Sequence, residues 1–141
     1  MVKHAIGFLF IILLFSGCAE WELGLDKDSD PPPPPKVAET AYPFLDIPIP
    51  VDFSRDNSKT FIYESGSGTV KVGRLFFHGL GKLNDALTFY QNEMLNNGWT
   101  LVNSIKNESV VLNYEKEGMV STIILRSNLL STFIEIQIGP K

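Results

Sequence analysis

Lys82-Leu83-Asn84-Asp85-Ala86-Leu87-Thr88-Phe89-Tyr90-Gln91-Asn92-Glu93-Met94-Leu95-Asn96-Asn97-Gly98-Trp99 is the stretch that decides the fold. Leu83, Ala86, Leu87, Tyr90 and Met94 recur at the helical spacing and make one apolar stripe, with Phe89 on its flank. Asn84, Asp85, Thr88, Gln91 and Asn92 face the other way. Asp85 falls in the first turn, where it complements the positive end of the helix dipole. Gly98 is the expected left-handed residue after the helix, and Trp99 follows it, placed to pack back on Met94. One helix with one greasy face needs a sheet to lie on.

The flanking sequence supplies that sheet. Before the helix, residues 59–64 and 69–78 read as two strands around the Ser65-Gly66-Ser67-Gly68 turn. Val70 and Val72 fall on one face of the second strand and Leu75 and Phe77 on the other, so a bulge is expected at Gly73. After the helix, Trp99, Leu101 and Ile105 alternate with Thr100, Val102 and Ser104, and Val110, Leu112 and Tyr114 with Val111, Asn113 and Glu115. Glu117-Gly118 closes the next hairpin, Val120 to Arg126 is rich in β-branched residues, and Ile134, Ile136 and Ile138 alternate with Phe133, Glu135 and Gln137. Alternation with one polar face suits an antiparallel sheet covered on one side. The expected architecture is α+β: one antiparallel sheet with a single helix packed on one face, in the order ββαββββ, over residues 43–141. Pro48 and Pro50 cannot donate to a ladder, so residues 43–53 read as an edge strand or a strap across the domain.

Upstream, Cys18 to Tyr42 reads as a tether. Glu20, Glu22, Asp26, Asp28 and Asp30 are opposed only by Lys27, and the five consecutive prolines Pro31 to Pro35 favour a stiff polyproline II segment. Such a stretch serves as a spacer or as a docking site for a proline-binding partner. Residues 1–17 have a weakly basic start and an apolar run from Ala5 to Phe15, too short to span a bilayer but suited to the core of an export signal. Phe15-Ser16-Gly17-Cys18 resembles the lipobox of bacterial lipoproteins, with Phe15 where leucine is usual. The resemblance implies that residues 1–17 are a lipoprotein signal peptide, that Cys18 is acylated and becomes the mature N-terminus, and that the protein is held on the cell envelope. Multiple acyl chains anchor stably where one does not. In a host with two membranes, Ala19 rather than aspartate after the cysteine implies the outer membrane, facing the periplasm.

The domain is similar to small uncharacterised bacterial lipoproteins of like length. Pro48-Ile49-Pro50, Asp52-Phe53, Phe89-Tyr90, Met94 and Gly98-Trp99 carry that likeness over most of residues 48–140. A helix held by an antiparallel sheet behind a lipidated cysteine is also similar in outline to the accessory lipoproteins of outer-membrane barrel assembly. Fold alone does not carry function.

Composition narrows the chemistry. The chain has 141 residues and a net charge of −4, with ten acidic and nine basic side chains from Pro43 onward. No basic stripe is present, so the electrostatic footprint of a nucleic-acid binder is missing. Cys18 is the single cysteine, and His78 is the one histidine after position 17. No metal or cofactor motif is found, and no G-x-S-x-G elbow supports a nucleophile for His78. Glu115 and Glu117 share a strand parity but flank Lys116 at a hairpin tip, where an ordinary carboxylate suits neither acid nor base work. The expectation is therefore no enzyme, no catalytic residue and no cofactor. The leading reading is an interaction or structural module of the envelope with a protein partner. The alternative is a small-ligand or lipid carrier with an apolar cleft between helix and sheet.

Overall fold

The computed structural model describes residues 37–69 and 71–141. The residues read as a signal peptide, Cys18, the acidic run and the five prolines lie outside the described residues. Five strands precede the helix: β1 (Val37–Ala41), β2 (Phe44–Pro50), β3 (Phe53–Arg55), β4 (Phe61–Glu64) and β5 (Lys71–Gly79). Helix α1 (Leu83–Asn96) follows, and then β6 (Thr100–Lys106), β7 (Val110–Lys116), β8 (Met119–Ser127) and β9 (Thr132–Pro140).

The fold is α+β, antiparallel and built on a single helix among the described residues, but two expectations are corrected. There are two sheets rather than one, and five strands rather than two stand before the helix. The main sheet has seven strands in the order β3-β5-β9-β8-β7-β6, with β4 pairing β5 beyond β3 along the same edge. Residues 56–60 interrupt that edge. There Asp56 Oδ1 accepts from the Ser58 amide and hydroxyl, and Thr60 Oγ1 accepts from the Phe76 amide at 3.2 Å. The second sheet is the β1–β2 hairpin, turned at the cis Tyr42–Pro43 peptide. Its first strand lies within the residues read as tether. Pro48 and Pro50 are tolerated because β2 pairs only with β1, and irregularly.

Helix and hairpin together cover one face of the main sheet. From the helix, Ala86, Leu87, Phe89, Tyr90 and Met94 are buried, and Ile47 and Ile49 join them from β2. Leu75, Phe77, Leu112, Tyr114, Ile123, Leu125, Ile134 and Ile136 meet them from the sheet. Each such side chain contributes about 1.5–3 kcal/mol when fully buried. The Phe89 and Tyr90 rings meet edge to face with centroids 5.2 Å apart. Tyr114 donates its hydroxyl to the Tyr90 carbonyl at 3.1 Å, whereas the Tyr90 hydroxyl is buried without a partner. Burial pushes the Tyr114 phenol up to about 12, and Tyr90 higher still.

The helix ends as its sequence requires. The Trp99 amide donates to the Met94 carbonyl and the Gly98 amide to the Leu95 carbonyl, both at 3.0 Å, with Gly98 at φ +83°. That is the Schellman pattern. Two long-range contacts then lock the joint. The Trp99 indole donates to the Asp46 carbonyl at 3.2 Å, and Lys116 Nζ bridges Asp46 Oδ2 at 3.0 Å and the Asn97 carbonyl at 2.8 Å. Lysine at this end also suits the negative pole of the helix dipole.

Gly73 does not bulge. β5 runs in unbroken register against β9, and Gly73 lies on the covered face because the Phe44 ring occupies the space its side chain would need. β6 also departs from expectation: every residue is exposed, since it forms the outer edge, and its pairing with β7 shifts register between Leu101 and Asn103.

Two glycines give testable costs. A side chain at Gly98 has room, its nearest neighbour being Lys116 Cε at 3.6 Å. Gly98→Val should therefore lose about 1 kcal/mol or more purely through the left-handed backbone, read as a lower melting midpoint. At Gly73 the added carbon would sit 2.5 Å from Phe44 Cε2. Gly73→Ala should cost about 1–3 kcal/mol by overpacking, and less in a Phe44→Leu background; equal losses in both backgrounds would show that the ring is not the obstacle.

Candidate functional site: the uncovered face of the sheet

The side chains that alternate away from the core form the second face of the main sheet, and no described element covers it. At its centre lies Glu135 on β9, only 4% exposed. The register sets Glu135 opposite Phe76 on one side and Ile124 on the other. Arg74 and Arg126 then reach it from the two neighbouring strands. Arg74 Nε donates to Oε1 at 2.8 Å and Arg126 donates to Oε2 at 3.2 Å, while Gln137 adds a third bond to Oε1 at 2.7 Å. Arg74 also lies over the Phe76 ring, 5.0 Å from its centroid.

Burial by itself pushes the Glu135 carboxyl up. The bonds from Gln137, Arg74 and Arg126, with the charge of Arg74, outweigh it and leave the group below the ordinary carboxylate range. Two arginines against one glutamate leave one positive charge in excess, on side chains more than half exposed. A polar ladder continues across the face: Thr122 donates to Asn113 Oδ1 at 2.6 Å, and Asn113 Nδ2 donates to Asn103 Oδ1 at 2.7 Å.

Around this polar centre the rim is apolar. Phe61, Tyr63, Val72, Val120 and Phe133 are all substantially exposed, Phe61 by 60%. A shallow groove of about 550 Å³ runs between Phe61, Val72, Arg74, Val120, Thr122 and Gln137. Aromatic side chains and arginine on one rigid surface are the composition of a protein-contact face.

A second hollow, of about 330 Å³, lies beside the first turn of α1. Pro50, Val51, Phe53, Ala86 and Phe89 line it together with Asp52 and Asp85.

The candidate residues read from sequence are not drawn together. His78 is exposed near the end of β5. Glu115 pairs with Lys141 at 2.8 Å, and Glu117 sits in the β7–β8 turn with φ +47°. Among the described residues no group of three or more His, Cys, Asp and Glu side chains is placed to hold a metal, and no helix is long and apolar enough to cross a membrane. Cys18 lies outside the described residues. The Arg74–Glu135–Arg126 cluster was not legible beforehand, because its three members are far apart in the chain and meet only through strand register. No protein-family model, curated protein or solved structure matches this chain.

Because Glu135 titrates below its unfolded value, it contributes stability above about pH 4.3 that is lost as the pH falls through its folded pKa. Melting followed from pH 6 down to about pH 3 should show a decline that Glu135→Gln makes shallower. A variant with an unchanged slope would mean that the cluster adds nothing to acid sensitivity.

Proposed function

We propose that this protein is a lipid-anchored lipoprotein of the bacterial cell envelope that works as a non-enzymatic interaction module. Residues 1–17 are removed as a signal peptide, Cys18 carries the acyl chains, and the following acidic and proline-rich stretch tethers the domain. In a two-membrane host Ala19 favours the outer membrane, with the domain facing the periplasm. The observation that carries the reading is the uncovered sheet face, with exposed aromatic groups around a rigid arginine–glutamate centre. Its excess positive charge suits a protein partner that offers acidic and apolar groups together.

The carrier reading has one observation of its own, the mostly apolar hollow beside Pro50, Phe53 and Phe89. Its volume is at the lower end of the range typical of ligand sites, about 300–1,000 Å³.

Acyl labelling and crosslinking in cells, with the full chain, separate these ideas. Cys18→Ala should accumulate as an unlabelled precursor, and a membrane-bound, acyl-labelled Cys18→Ala protein would defeat the lipoprotein reading. Phe61→Ser with Tyr63→Ser should abolish a specific crosslink with little change in the melting midpoint, because both rings are more than half exposed. Asn84→Ser with Gln91→Ser, on the far side of the helix, should leave it intact. A lipid or small molecule that co-purifies in equal proportion and is lost on Phe53→Ser would favour the carrier.

A further inference from the structure

The β8–β9 connection ends in two leucines held out from the domain. Asn128 Oδ1 accepts from the Leu130 amide at 2.9 Å and the Ser131 amide at 2.8 Å, and the Asn128 amide donates to the Ser131 carbonyl. Such a side-chain-closed turn is ordinarily tipped by polar residues. Here Leu129 and Leu130 stand almost wholly in solvent. Beside them is Leu80, equally bare, in the segment leading from β5 to α1. The two loops are tied together, since Gly79 pairs with Thr132 and the Thr132 hydroxyl donates to the Gly81 carbonyl at 2.6 Å. Three leucines thus project from one end of the sheet, and none lines either hollow described above.

The chain also enters the domain at this end. Val37 pairs with Pro50, and β2 leads from Pro50 through Val51 and Asp52 to Phe53, which pairs with Gly79. Val37, where the described chain begins, therefore lies at the same end of the domain as the three leucines. The 18 residues between Cys18 and Val37 let the domain's entry point stand at most about 65 Å from Cys18. That length limits how far the domain can stand from its anchor.

We infer that Leu80, Leu129 and Leu130 seat this end of the domain in the apolar edge of a lipid bilayer, an inference that rests on the lipid-anchor reading above. Isolated leucines on two protruding loops match a deformable apolar medium better than a shaped protein pocket. The charges at this end of the sheet balance, Lys82, Lys106 and Arg126 against Asp52, Asp85 and Glu108, so attachment should come from apolar insertion and resist salt. Seated in this way, the strands stand up from the membrane and the uncovered sheet face remains open at the side.

The test uses the full chain purified from membranes and returned to phosphatidylcholine vesicles, in a Trp21→Phe background. Leu129→Trp should be quenched by brominated lipid and blue-shifted, in low and high salt alike. Gly66→Trp, in the β4–β5 turn at the other end, should not be. Leu80→Ser, Leu129→Ser and Leu130→Ser together should lower energy transfer from Trp99 to dansyl-labelled lipid without lowering the melting midpoint. Each leucine removed should lower the equilibrium constant for seating by about tenfold or more. The mass of the N-terminal peptide reads acylation separately. Quenching without acylation upholds the seating and refutes the anchor reading, whereas acylation with no quenching at Leu129→Trp overturns the seating alone. A dimer that dissociates on Leu129→Ser, with no lipid quenching, would assign the leucines to a second copy and also overturn it.

Discussion

A single 14-residue helix must help cover a sheet much wider than itself, and the rest of the structure follows from that mismatch. The main sheet is six strand positions across, about 24 Å at the usual strand spacing, whereas a helix with its side chains is about 10 Å wide. The helix alone would leave Gly73 and Leu75 on β5 facing water. The β1–β2 hairpin fills the remaining width, and the Phe44 ring closes down on Gly73. Helix and hairpin must then be held side by side. Trp99 and Lys116 do this by reaching from the helix terminus and from β7 to the same residue, Asp46 on β2. The joint combines a helix cap, a strand carbonyl and a charged pair, so covering the sheet and ending the helix are one structural event.

The elements legible in the sequence were those whose pattern is local. The helix, its glycine cap, the β4–β5 hairpin and the four strands after the helix all stand where period and turn residues put them. The hairpin that completes the cover was missed for a physical reason. β1 is Val-Ala-Glu-Thr-Ala, short and mostly small-sided, and its partner strand holds two prolines. The second half was legible as an edge strand or strap, but β1 does not read as a strand until it is laid against it. Gly73 misled for the opposite reason: a glycine between two phases of hydrophobic residues looks like a bulge, yet here it is a seat for an aromatic ring supplied from another sheet. At the candidate site the polar parity of Glu135 and Gln137 was plain, but the burial of Glu135 was not. That depends on Arg74 and Arg126 arriving from both sides, which only register decides.

The two faces of the sheet carry different physics. The covered face is mostly hydrocarbon; the Tyr114 and Thr132 hydroxyls on it are hydrogen-bonded, whereas those of Tyr90 and Ser121 are buried without partners, and each such unpaired group costs about 1–3 kcal/mol. The uncovered face places its one buried carboxylate among three donors and surrounds it with rings. Replacing a buried ion pair with apolar groups is often neutral or stabilising, so stability alone does not call for Glu135. Its arrangement does fix the positions of two guanidinium groups on a surface that otherwise has only short or apolar side chains beside them. A surface organised in this way supplies shape and charge before any partner arrives.

The margins of the main sheet have a further consequence if the protein is held on a membrane, as proposed. Confinement to two dimensions raises the frequency with which copies meet, and any straight, unpaired strand would then be a template for zipping them into fibres. Neither margin of this sheet is straight and continuous. On one side the free edge of β5 is shared between β3 and β4, with residues 56–60 breaking the row; on the other, β6 slips register at Val102. On the proposed anchor, crowding along the bilayer would therefore bring neighbours side by side without offering either of them a straight, continuous strand to extend.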